Sequence, residues 1–216
     1  MKKSFLLLPL LCLLAACAKD DYHYPSVKLE FLTAQATASG ISSVLNDAGE
    51  TYPVVSDGSG ISSKKDTTIR IVTNYELITA DDGSVGAKLY SSVTTVSPLP
   101  QPAEDFKGGV KQDPVTVVGA WKGLNYLNVL IDIKSQNKLH TFGFIEEDVA
   151  TVGSKRTVRI SLYHDEGDDV RAYSRRVYLS IPLRHYVNDT ITSLVVQFNT
   201  TNYNGEAKAD TVAFNF

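Results

Sequence analysis

From Val27 onward the chain is written in short runs that alternate apolar and polar residues, with no long apolar repeat of helical spacing. Period-two alternation turns one face of an extended segment toward a core and the other toward water, so a chain of this kind must build sheets. Val27, Leu29 and Phe31 alternate with Lys28 and Glu30, and Ile41 to Leu45 makes a second run. Asn46-Asp47-Ala48-Gly49 is a turn signal, after which Thr51 to Val55 resumes the strand pattern. A loop opens at Asp57-Gly58-Ser59-Gly60. Thr67 to Ile78 follows, then a turn at Asp81-Asp82-Gly83, then Val85 to Val96. Residues 26–97 are thus expected to form a β domain of about five strands.

Residues 98–118 break the pattern. Pro98, Pro100, Pro102, Gly108, Gly109 and Pro114 fall together here. Proline removes ladder donors and glycine loosens the chain, so the segment reads as a linker, with one helical turn at Ala103 to Lys107. Strand patterns return in 119–216, at Tyr126 to Ile133, Leu139 to Ile145, Arg156 to Tyr163, Ala172 to Leu183, Ile191 to Phe198 and Thr211 to Phe216. Val158, Ile160 and Leu162 make one apolar face and Val177, Leu179 and Ile181 another, which predicts a hairpin across the loop 164–169. Short strands at regular spacing with little helix predict an all-β chain ending in an antiparallel β-sandwich.

The N-terminus has a different character. Lys2 and Lys3 precede an apolar run from Phe5 to Leu14, and Leu14-Ala15-Ala16-Cys17 closes it. A charged start, a short apolar core and small residues before the cut are the parts of a secretory signal, here 1–16. The run is shorter than the ~20 residues a membrane-spanning helix needs. Leu-Ala-Ala-Cys matches a lipobox, which makes Cys17 the lipid-attachment residue and 17–25 a lipidated tether. Lys19, Asp20 and Asp21 resemble an export signal that sends lipoproteins to the exterior face of the outer membrane.

The only other cysteine, Cys12, lies within the signal. A processed chain would then hold its one thiol in lipid, which excludes disulfides, thiolate metal sites and cysteine nucleophiles. The formal charge of the whole chain is −3, and removal of Lys2 and Lys3 makes it more negative. Its closest basic clusters are the pairs Lys64-Lys65 and Arg175-Arg176, so no nucleic-acid partner is expected.

Few residues suggest chemistry. His23, His140, His164 and His185 stand apart in sequence, without H-E-x-x-H spacing, and no G-x-S-x-G elbow occurs. No catalytic residue, metal site or cofactor is expected. Asp165-Glu166-Gly167-Asp168-Asp169 lacks EF-hand spacing and reads as a solvated loop. Trp121, Tyr126, Tyr163, Tyr173 and Tyr178 could offer aromatic faces to a glycan. The competing expectation is that Trp121 plugs the core between sheets and that the tyrosines serve strand propensity. Asp66-Thr67-Thr68, Asp189-Thr190-Ile191 and Asp210-Thr211-Val212 resemble an O-glycosylation acceptor, which makes Thr67, Thr190 and Thr211 candidate modification sites. Phe216, in phase with Phe214 and Val212, could end an outer-membrane barrel, but a sandwich edge strand suits it better.

Taken in order, the lipobox, Asn46-Asp47-Ala48-Gly49 with Tyr52, the Arg70 strand, Asp113-Pro114 leading to Trp121, Tyr126-Leu127-Asn128, and Leu162-Tyr163-His164 with Asp169 resemble the NigD-like lipoproteins. The resemblance spans nearly the whole processed chain. It implies an N-terminal OB-like β-barrel followed by a C-terminal β-sandwich, and it carries no established catalytic residues. The family name derives from a bacteriocin-associated operon. These readings make the chain a non-catalytic binding or interaction module for an unidentified protein or glycan, held to the membrane through lipid on Cys17. The alternatives are an immunity-type protein that binds a peptide toxin, and an uncharacterised enzyme.

Overall fold

The computed structural model describes residues 25–216. Five strands, β1 (Lys28–Thr37), β2 (Gly40–Leu45), β3 (Thr51–Asp57), β4 (Thr67–Thr79) and β5 (Val85–Thr94), close into a barrel in the order β1-β2-β3-β5-β4. The pairs are antiparallel except β3 with β5. This is the five-stranded order of an OB-type barrel, as the resemblance implied. Leu32, Ala34, Ile41, Val44, Ile71 and Leu89 fill it.

Seven strands follow: β6 (Thr116–Lys122), β7 (Tyr126–Ser135), β8 (Thr141–Val152), β9 (Lys155–Asp165), β10 (Tyr173–Pro182), β11 (Ser193–Thr201) and β12 (Ala207–Asn215). They form a three-stranded sheet, β10-β7-β6, and a four-stranded sheet, β12-β11-β9-β8. Both contribute to one core, with Leu127, Val129 and Ile131 of β7 and Leu179 and Ile181 of β10 on one side. Phe144, Val158, Ile160, Val196 and Phe198 come from the other sheet. The chain is all-β, a barrel followed by a sandwich.

Three expectations are corrected. Arg156–Tyr163 and Ala172–Leu183 do not pair as a hairpin: β9 pairs with β8 and β11, and β10 pairs with β7. Their apolar faces meet across the core instead. Periodicity identifies a buried face but cannot say whether its partner lies beside it or opposite it. The sandwich is also not purely antiparallel, because β11 runs parallel to β9. Trp121 is no core plug. Register in β6 shifts between Val117 and Gly119, and this slips the alternation by one residue. Trp121 therefore shares the outer face with its partner Asn128 and keeps 40% of its surface exposed.

The segment expected as a loose linker is docked along its length. Val96 N–H donates to the Tyr178 carbonyl on the edge of β10, and Gln101 N–H donates to the Phe144 carbonyl on the edge of β8. Phe106 follows a short 3-10 turn (Ala103–Asp105) and stacks on Tyr163 at 4.5 Å. Gly143 makes room for that ring, since a Cβ there would stand 3.0 Å from it. His164 N–H donates to the Lys111 carbonyl, and Val115 is buried in the sandwich core. The segment is a strap that joins an edge of one sheet to an edge of the other.

Candidate functional site

The barrel sits on the outer face of the three-stranded sheet, and one arginine organises the contact. Arg70 lies on the outside of β4, opposite Thr33 of β1, yet is only 4% exposed. Its Nη2 donates to both Asp47 oxygens at 2.6 and 2.7 Å and to Asn128 Oδ1 at 3.2 Å. Nε donates to Ser180 Oγ at 3.0 Å and Nη1 to Thr33 Oγ1 at 3.1 Å. The guanidinium lies 4.3 Å from the Tyr126 ring centroid. These five side chains come from β1, the β2–β3 turn, β7 and β10, and the Phe31 ring of β1 lies 5.8 Å from the guanidinium.

Local sequence aims Asp47 at this cluster. Asn46 Oδ1 accepts from the Ala48 and Glu50 amides, an Asx turn that projects the intervening carboxylate toward the sandwich. Asn128 Nδ2 donates to Asp47 Oδ2 at 2.8 Å, and Ser180 Oγ donates to Asn128 Oδ1 at 2.7 Å. Gly123 allows the close approach, because a Cβ there would stand 2.9 Å from Asp47 Oδ2. Removing two charges from water is costly, and here each charge meets several partners that offset the cost.

Beside this latch the two domains leave an open cleft of about 360 Å³. Leu29, Phe31 and Val72 form the barrel wall; Trp121, Leu130 and Tyr178 form the sheet wall. The Phe31 ring meets Trp121 at 5.5 Å and 82° and Tyr178 at 5.9 Å and 71°. Edge-to-face packing of this kind makes a notch rather than a flat platform. Asn46 and Asp47 bring polar groups to the lining, while the Glu30 carboxylate accepts the Tyr75 hydroxyl at 2.7 Å and the Lys122 ammonium lies over the Phe214 and Phe216 rings. Burial, and then that bond to Glu30, push the Tyr75 phenol well above its ordinary range. An arrangement of apolar walls with a few polar groups can hold and orient a ligand.

A second buried polar cluster lies in the sandwich. His140 Nδ1 is 2.9 Å from His164 Nε2, and His140 Nε2 is 3.3 Å from Asp169 Oδ2. His164 Nδ1 donates to the Asp113 carbonyl at 2.9 Å. Burial pushes the His164 imidazole below the ordinary histidine range, against the opposing pull of Asp113. Burial alone would raise the Asp169 carboxyl. The amides of Gln136, Asn137 and Lys138, with His140, outweigh it and hold the group well below the usual carboxylate range. Among the described residues no His, Asp and Glu side chains converge as a metal site.

The sequence-predicted residues fall as follows. Cys17, Lys19, Asp20, Asp21 and His23 lie outside the described residues. Thr67 opens β4, Thr190 lies in the loop before β11 and Thr211 lies in β12; all three are exposed and none lines the cleft. Of the five aromatic candidates, Trp121 and Tyr178 share the cleft. Tyr126 faces Arg70 and Tyr163 is buried under Phe106, whereas Tyr173 is exposed. The loop at 165–169 is only partly solvated, because Asp169 is buried. Phe216 directly follows β12, which is an edge strand of the sandwich. Leu29 and Phe31 were visible as strand residues, but nothing in their alternation marked the outward face of β1 as a cleft wall. The two histidines approach because antiparallel register puts Phe142 opposite His164, a relation invisible in a separation of 24 residues.

An OB-type barrel latched to the outer face of a β-sandwich, with an aromatic cleft between them, defines a class of two-domain β proteins. The model of the NigD-like C-terminal beta sandwich domain matches residues 97–215. The chain belongs to the NigD-like family. A solved NigD-like immunity protein from Bacteroides caccae is 33% identical, with a TM-score of 0.73 over 90% of this chain and 99% of that one. A protein of unknown function from Bacteroides vulgatus is 15% identical, with a TM-score of 0.63 over 88% of this chain and 91% of its own. A candidate lipoprotein from Bacteroides fragilis shares the fold at 11% identity, with a TM-score of 0.60 over 89% and 98% of the two chains. Among curated proteins, none matches the chain.

Proposed function

We propose that this chain is a non-catalytic binding module, held by lipid on Cys17 at the exterior face of the outer membrane. Its interdomain cleft receives an apolar side chain from an extended segment of a protein partner. One observation carries this reading: exposed Trp121 stands in an open cleft with Phe31 and Tyr178, on two walls locked together by Arg70 and Asp47. A notch of crossed rings suits an inserted side chain better than a flat sugar ring. The signal architecture and the fold shared with a candidate lipoprotein support the anchored location, with Lys19, Asp20 and Asp21 supplying the export signal. No helix among the described residues is long and apolar enough to cross a membrane.

The test is capture from envelope and secreted fractions by wild type, Trp121→Ala and Tyr178→Ala. A protein retained by wild type and weakened at least about tenfold by each variant is expected, since buried aromatic anchors dominate interfaces. Undiminished capture by both variants would overturn the reading. Retention of polysaccharide instead, lost in the variants, would make the ligand a glycan.

A second reading is favoured by the relative from B. caccae, described as an immunity protein. In it, the partner is a secreted peptide toxin, and deletion of this chain sensitises cells to that toxin without loss of glycan use. Thr67, Thr190 and Thr211 are further proposed as O-glycosylation sites, supported by their exposure. An intact mass equal to polypeptide plus lipid would exclude that modification.

A further inference from the structure

The cluster of His140, His164 and Asp169 has a fixed proton requirement. The Asp113 carbonyl can only accept, so His164 Nδ1 carries a proton. Asp169 accepts from the Gln136 and Asn137 amides and is a carboxylate, so His140 Nε2 carries another. One more proton must lie between His140 Nδ1 and His164 Nε2, 2.9 Å apart. Three protons on four ring nitrogens satisfy every contact, and the pair then holds one positive charge beside Asp169. A fourth proton would set two N–H groups head to head.

The cluster also ties separate segments together. His164 is bound to the strap on both backbone sides: its N–H donates to the Lys111 carbonyl and its carbonyl accepts from the Asp113 amide. Asp169 caps the turn after β7 through Gln136 and Asn137, and Lys138 of that turn donates to the Gly167 and Asp168 carbonyls. The charged groups around the pair come from each packed element. The strap brings Asp113 and Lys111. The end of β9 and the following loop bring Asp165, Asp169 and Glu166, the last paired with Arg171 at 2.8 Å. From β8 the neighbour is uncharged Phe142, stacked on His164 at 4.7 Å.

We infer that His140 and His164 form a proton-counting buckle on the strap, closed near neutral pH and opened when mild acid adds a fourth proton to the pair. Opening releases residues 111–113 from the end of β9 while the barrel-to-sandwich latch stays shut, because an arginine cannot change its charge in this range.

Hydrogen exchange on the full chain between pH 6.5 and 4.5 is the test. The Asp113, His164, Gln136 and Asn137 amides are expected to lose protection together, by up to roughly tenfold per pH unit for one proton taken up. The Leu127 and Val129 amides should keep theirs. Histidine ring resonances should report one protonation over the same range. His164→Gln should abolish the step, and if that variant does not fold, the wild-type ring titration still decides. Strap amides that keep their protection throughout, or lose it only when Leu127 and Val129 do, would overturn the proposal.

Discussion

Two buried polar clusters hold this molecule, and they differ in whether their positive charge can be removed. The latch centres on Arg70, which bridges barrel and sandwich through Asp47, Asn128 and Ser180. The buckle centres on His140 and His164, which tie the strap to the sandwich. Guanidinium stays charged at any pH a protein survives, whereas imidazole titrates within the physiological range. The domain arrangement, and with it the cleft, therefore rests on a permanent charge. The strap rests on a conditional one. Mild acid is expected to loosen the second without releasing the first.

The largest effect should come from the latch. Arg70→Met leaves Asp47 without its cation and should destabilise the fold by about 3 kcal/mol in thermal or urea denaturation. The cost falls at the lower end for a buried pair because Asp47 keeps 24% of its side-chain surface in water. Arg70→Lys should recover only part of it, since one ammonium cannot serve Asp47, Ser180 and Thr33 together.

Acid should separate the two clusters. The folded His164 resists protonation, but the unfolded chain takes a proton near the ordinary histidine pKa of ~6.5. The unfolded state then binds more protons, so stability should fall as pH drops from about 6.5, by at most ~1.4 kcal/mol per pH unit for this group. Denaturation at pH 7 and pH 5 checks the sign. His164→Gln should flatten the slope, and Arg70→Lys should leave it unchanged.

Effects elsewhere should be smaller. Trp121→Ala removes an exposed ring from the cleft and should shift stability by less than about 1 kcal/mol while weakening partner binding. Arg176→Ala breaks an exposed pair with Asp132 and should leave the thermal midpoint unchanged within error.

The strands of the barrel were legible in the sequence because each alternates about one buried face, as Ile69 and Ile71 do around Arg70. The same alternation hid the latch. Arg70 occupies a phase that reads as solvent-facing in an isolated barrel, and only the docked sheet buries it. The segments that carry the family resemblance contain Asp47, Arg70 and Asn128 without any sign that the three meet, and their shared hydrogen bonds join them. Trp121 was misplaced because a one-residue irregularity in β6 reverses the face, and no local signal announces it. The prolines between 98 and 114 say nothing of side chains such as Phe106 and Val115 that dock the segment, and β6 begins at Thr116, inside the range read as a linker.

Trp121 is the only tryptophan in the chain, so its fluorescence reports the cleft directly. The decisive measurement is its emission on titration with the captured partner, in wild type and in Phe31→Ala. A saturable blue shift, moved to at least about tenfold higher partner concentration by Phe31→Ala, is the predicted result. Partner binding that leaves Trp121 emission unchanged, with the same affinity in Phe31→Ala, would contradict the cleft as the binding surface.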